Sequence, residues 1–168
     1  GDASLNGTIA TTGNQSYGGD VTLLGDTTLT SGAGAISVGT NLSQLGGVGT
    51  LSLGDVNQTG DVSLSGNGTL DGLVIGAGDF NVAIVAGENL TFTINGSVDF
   101  LNNGTLSITA GVESGYVKFR DGLNATVVSQ VNLSGSIGTE NAAIELSHVV
   151  ANNDNGYYIP LASLFTAE

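Results

Sequence analysis

Apolar and polar residues alternate along the chain in short runs that break at glycine, asparagine or aspartate, and one such run recurs. Val62-Ser63-Leu64-Ser65-Gly66-Asn67-Gly68-Thr69-Leu70 has the frame Val-x-apolar-x-turn-turn-x-Thr-Leu. Val21 to Leu29 and Val98 to Leu106 repeat it, and a weaker copy starts at Val131. The three clear copies begin 41 and then 36 residues apart. Alternation with a period of two calls for a strand with one buried face, and the Gly/Asn/Asp pair supplies a sharp bend where positive φ is cheap. A strand, a bend and a second short strand, recurring every two coils, predict a solenoid. With half of the 41-residue offset as one coil, a coil holds roughly 20 residues and the chain makes about eight coils; at about 4.8 Å per coil the stack is on the order of 40 Å long.

The other elements follow from the same pattern. Leu5 to Ile9 reads as the first coil or an entry strand, and Tyr17 to Val38 as three short strands separated by a bend and the Gly-rich turn Ser31-Gly32-Ala33-Gly34. The double glycine Gly46-Gly47 predicts a bend or a lateral loop. Leu73 to Ile75, Phe80 to Val85 and Asn89 to Ile94 are expected at the centre of the core. Thr139 to Val150 reads as a strand or one short helix, Asn152 to Gly156 as a turn, and Tyr157 to Phe165 as an apolar tail containing the sole proline, Pro160. A solenoid needs its last open coil covered, so the expected division is a repeat domain over 1–138 and a C-terminal cap or inter-subunit strand over 139–168. Strands of three to five residues favour this all-β solenoid over the alternative, a β-sandwich or jelly roll completed by donor-strand exchange.

Composition sharpens the reading. The 168 residues include 28 glycines, one proline and no Cys, Met or Trp, an alphabet of short strands and tight turns. Only Lys118 and Arg120 are basic, so the runs of long helix-forming side chains are missing. Next to Asp121, these two cations read as a local surface pairing. The net charge of −13 should repel nucleic acid and anionic membranes, and the carboxylates sit mostly beside glycine, as corner residues that keep the stack in solution. No run approaches eighteen consecutive apolar residues, so no membrane insertion is expected, and any secretion signal is removed or lies upstream.

Gly13 to Leu29, with the echoes at Val62 and Val98 and Pro160-Leu161-Ala162-Ser163-Leu164 near the end, resembles the repeats of filamentous-haemagglutinin-like exoproteins. The resemblance covers about the first two-thirds of the chain and is one of repeat style. It implies a right-handed parallel β-helix, export by two-partner secretion, and a stalk or adhesin at the bacterial surface. The amino-terminal secretion domain of that family is not recognisable, which makes the chain a downstream passenger piece or a compact relative.

Asparagine sequons are the most informative chemical motif. Ten of the sixteen asparagines stand in Asn-x-Ser/Thr: Asn6, Asn14, Asn41, Asn57, Asn67, Asn89, Asn95, Asn103, Asn124 and Asn132. Ser and Thr make up 34 of 168 residues, so about three are expected by chance. These ten are candidate N-glycosylation sites on an exported protein; Asn-Gly-Thr is also simply how such a repeat turns a corner, which accounts for Asn6, Asn67 and Asn103 without sugar. A calcium corner of the nonapeptide type needs a carboxylate that Gly46-Gly47-Val48-Gly49-Thr50 lacks, and an ice-binding face needs more than Thr28-x-Thr30 and Thr91-x-Thr93. No catalytic constellation accompanies the lone His148, and the scattered carboxylates form no glycosidase-like cluster. The expectation is a secreted or cell-surface protein, not an enzyme and without cofactor. It projects a solenoid for attachment or biofilm, or else polymerises into a glycosylated filament through terminal strands. Its partners are then other copies of itself, or cell-surface glycans or proteins.

Overall fold

The computed structural model describes residues 1–40, 42–111, 114–140 and 142–151. Among them are eighteen strands, no helix, and only parallel pairings between strands. The chain is a parallel β-solenoid, and the sandwich alternative is excluded by that pairing. Its first two turns are β1 (Ala3–Ala10) with β2 (Gln15–Tyr17), and β3 (Val21–Thr30) with β4 (Ile36–Val38). The third and fourth contain β5 (Gln44–Val48), β6 (Thr50–Leu53), β7 (Val62–Leu70), β8 (Gly72–Gly78) and β9 (Val82–Ala86). The fifth is β10 (Thr91–Ile94), β11 (Val98–Asn102) and β12 (Thr105–Ala110). The sixth is β13 (Tyr116–Phe119), β14 (Leu123–Ala125) and β15 (Gln130–Ser134), and the last is β16 (Ser136–Thr139), β17 (Ile144–Leu146) and β18 (Val149–Ala151).

Three parallel faces result. Face one stacks Ala3, Val21, Leu45, Gly68, Phe92, Val117 and Ile137. Face two carries the second halves of β1 and β3, then β6, β8, β11, β14 and β17, and face three stacks Gln15, Ile36, Val62, Val82, Leu106, Val131 and Val149. With seven rungs on each face, six turns separate the first rung from the last, which spans about 29 Å at 4.8 Å per rung.

The expected eight coils of twenty residues are therefore corrected to about six turns of 18 to 26 residues, the spacings of Ala3 from Val21 and of Ile36 from Val62. The cause is specific. Val21 begins on face one, Val62 on face three and Val98 on face two, so each offset between copies is one and two-thirds turns rather than two. Forty-one residues over that interval is about 25 per turn, and 36 is about 22. Each copy of the frame turns a different corner of the same triangle-like coil.

Alternation sends every second side chain inward. Leu73, Ile75, Phe80, Val82, Ile84, Phe92 and Ile94 are fully buried, as expected for the centre of the core, and Phe100 meets Phe119 edge-on with ring centroids 6.3 Å apart. Gly46 and Gly47, expected at a bend or loop, lie inside β5 and pair with Thr22 and Leu23. At Gly47 (φ 118°) the turns pass so closely that a β-carbon would overlap the Leu23 carbonyl oxygen. The segment 139–150 takes the strand alternative: β17 and β18 extend two ladders up to Ala151. Of the expected cap or exchange strand over 139–168, residues 141 and 152–168 lie outside the described residues.

Candidate functional site

At the corners, where the chain passes from one face to the next, one kind of side-chain bond between turns recurs. A carboxylate or carboxamide oxygen on one turn accepts from a donor on the next. Asp2 Oδ1 accepts from the Asp20 amide (3.1 Å), and Asp20 Oδ1 from the Gln44 amide (2.8 Å). Asp26 Oδ1 accepts from the Thr50 amide (2.9 Å). Asp61 Oδ1 accepts from Asn81 Nδ2 (3.0 Å), and Asn81 Oδ1 in turn from the Thr105 amide (2.9 Å) and hydroxyl (3.0 Å). A carboxylate only accepts, so a neighbouring turn must supply the hydrogens, and amide side chains can do both in succession.

The longest chain of such bonds ends on the two cations. Asn95 Nδ2 donates to Asp71 Oδ1 (3.3 Å), Arg120 donates to Asn95 Oδ1 (3.0 Å), and Arg120 Nε lies 2.8 Å from Glu140 Oε2. Lys118 bonds the other oxygen of Glu140. The partner of both cations is thus Glu140, one turn on, and not the neighbouring Asp121 expected from the sequence. The Lys118 hydrogen bond, with the charge of Arg120, holds the Glu140 carboxyl below its ordinary value.

Buried amides line the corner between faces two and three. Gln15 Nε2 donates to the Thr30 carbonyl (2.7 Å), and the Tyr17 hydroxyl donates to Gln15 Oε1 (3.1 Å). Burial raises the Tyr17 hydroxyl above its ordinary pKa. Gln58 Nε2 donates to the Gly34 carbonyl (2.8 Å), and Asn102 Nδ2 to the Phe80 carbonyl (3.0 Å). Among the described residues Asn102 Oδ1 is buried without a partner.

The ten sequons separate on this background. Asn6, Asn14, Asn57 and Asn89 are exposed, and none donates a hydrogen bond from Nδ2 within the described residues. Asn95, Asn103, Asn124 and Asn132 each donate from Nδ2 to the preceding turn: to Asp71, Asp79, Asp99 and Ser107. Asn67 is 8% exposed, turned into the stack. Asn41 lies outside the described residues. The nine described sequons are distributed over the corners and faces. His148 is exposed, with its carbonyl accepting the Val131 amide.

Sequence reasoning found the corners but missed the bonding between turns. Its signal was an acidic or amide residue recurring at each corner 18 to 25 positions apart, which the sequon pattern overlies. Among the described residues no three His, Cys, Asp or Glu side chains gather as a metal site requires, and no helix is long and apolar enough to cross a membrane. Compared with protein-family models, curated proteins and solved structures, the chain matches none.

Proposed function

We propose that the chain is an extracellular structural and adhesive module, a β-solenoid that stands off a cell surface and offers its flat faces to glycans or proteins of a partner surface. The observation that supports this reading is the commitment of corner side chains to bonds between turns, from Asp2 through Asp20 to Gln44 and from Asp71 through Asn95 and Arg120 to Glu140. Polar groups spent in this way stiffen a rod. Two-partner export is the route proposed with it, on the resemblance to haemagglutinin-like repeats. Protease added to intact native cells should remove the protein, and beads coated with it should adhere to cells or to immobilised glycans. Protein that survives protease until the cells are lysed counts against the reading.

A filament subunit is the second reading, favoured by the last described turn. Inward-facing apolar residues of the inner turns are at most 3% exposed, whereas Ile144 and Leu146 are half-buried and Val149 is 45% exposed. An apolar rung of that kind is a surface for stacking. Light scattering over a concentration series discriminates: growth of elongated species supports the filament, and a constant monomer mass supports the stalk.

A further inference from the structure

We propose that N-linked oligosaccharide is carried by Asn6, Asn14, Asn57 and Asn89, and that the other five described sequons remain bare. This rests on the exported reading above. Attachment requires that an Asn Nδ2 reach the anomeric carbon of a donor, and that the folded protein then leave room for the sugar.

Two independent features single out the four. Their carboxamide nitrogens donate to nothing among the described residues, and the residues are exposed. The sequon hydroxyls that accompany them, Thr8, Ser16, Thr59 and Thr91, are exposed as well, and among the described residues none makes a side-chain hydrogen bond. By contrast, Asn95, Asn103, Asn124 and Asn132 hold the preceding turn through the same nitrogen that a sugar would occupy. Thr105, the hydroxyl of the Asn103 sequon, is itself bonded to Asn81. Asn67 faces the stack at 8% exposure, where a sugar has no volume.

The geometry also spreads the four. Asn6 lies opposite the irregular stretch between Leu23 and Thr27, where face one turns into face two; Asn14 and Asn57 precede face three, and Asn89 precedes face one. Every corner then carries a glycan and the flat faces stay clear. In the transfer step the Nδ2–C1 bond forms as the C1–O bond to a lipid-linked diphosphate breaks. The diphosphate leaves with the electron pair, and the Nδ2 proton passes to a base of the cell's transferase.

The test is glycopeptide mass spectrometry on protein purified from its native cells, beside protease accessibility of those cells. Sugar on Asn6, Asn14, Asn57 and Asn89, with unmodified peptides for Asn67, Asn95, Asn103, Asn124 and Asn132, is the expected result. Sugar on any of those five, or four bare sites on protein that protease reaches from outside, overturns the inference while leaving the export reading intact. Bare protein confined within the cell overturns both. The variant T8A/S16A/T59A/T91A keeps every asparagine and removes only hydroxyls that bond to nothing among the described residues; made in the same cells, it should lose the sugar mass and keep its unfolding midpoint. Retained sugar on those asparagines contradicts the assignment.

Discussion

At Gly47 backbone conformation and inter-turn distance act together. Its φ of 118° disfavours any side chain, and a β-carbon would overlap the Leu23 carbonyl of the turn before. Gly47→Ala should therefore cost about 3 kcal/mol in chemical denaturation, from strain and overpacking. Gly18→Ala is the control: nothing stands near its β-carbon and its φ is ordinary, so it should stay within about 0.5 kcal/mol of the parent. Equal stability of the two variants would dissociate Gly47 from the close approach. Asn102 makes the corresponding case for a buried amide. Its Nδ2 serves the buried Phe80 carbonyl and the half-buried Thr105 carbonyl, so Asn102→Leu strands the first and weakens the second and should lose roughly 1–3 kcal/mol. An unchanged midpoint would mean that those carbonyls find other donors.

At the scale of elements, Glu140 joins β16 to the preceding turn through Lys118 and Arg120. Its pKa is lowered in the folded chain, so the stability it contributes is present above the ordinary glutamate value and is lost as pH falls through the depressed folded value. Glu140→Gln should lower the melting temperature at pH 7, and the difference from the parent should close as pH drops below the ordinary range. A difference that persists at low pH would assign the effect to packing.

Strands and solenoid were legible in the alternation of residues such as Val62, Leu64 and Val82, Ile84, because inward and outward positions differ in chemistry. The number of turns was not. Corners one, two and three are built from the same Gly, Asn and Asp, so the recurring frame marks a corner without saying which. Gly46-Gly47 misled for a related reason: a glycine demanded by close-packed backbone looks, in sequence, like one demanded by a turn. The sequons were visible as a set, but their division into free and bonded amides depends on partners a turn away, such as Asp71 for Asn95.

For the whole molecule, a net charge of −13 is self-repelling, and both cations sit on one carboxylate. Salt screens such repulsion within about 10 Å at 0.1 M, so the melting temperature should rise on going from low salt to 0.1 M and then level off. A fall instead would mean that the Lys118–Glu140–Arg120 cluster outweighs the net charge.

Each strand pairs with residues one turn away, so the backbone hydrogen bonds run along the stack and a pull between its ends loads them in tension. Turns then yield singly. The 24 residues from Val21 to Leu45 extend to about 80 Å of chain, at about 3.4 Å per residue. Force spectroscopy on the tethered protein should give a sawtooth of successive lengthenings of about 60–90 Å, matching turns of 18 to 26 residues. A rod of this construction is a shock absorber: pulled from its two ends it pays out length in measured steps before it parts.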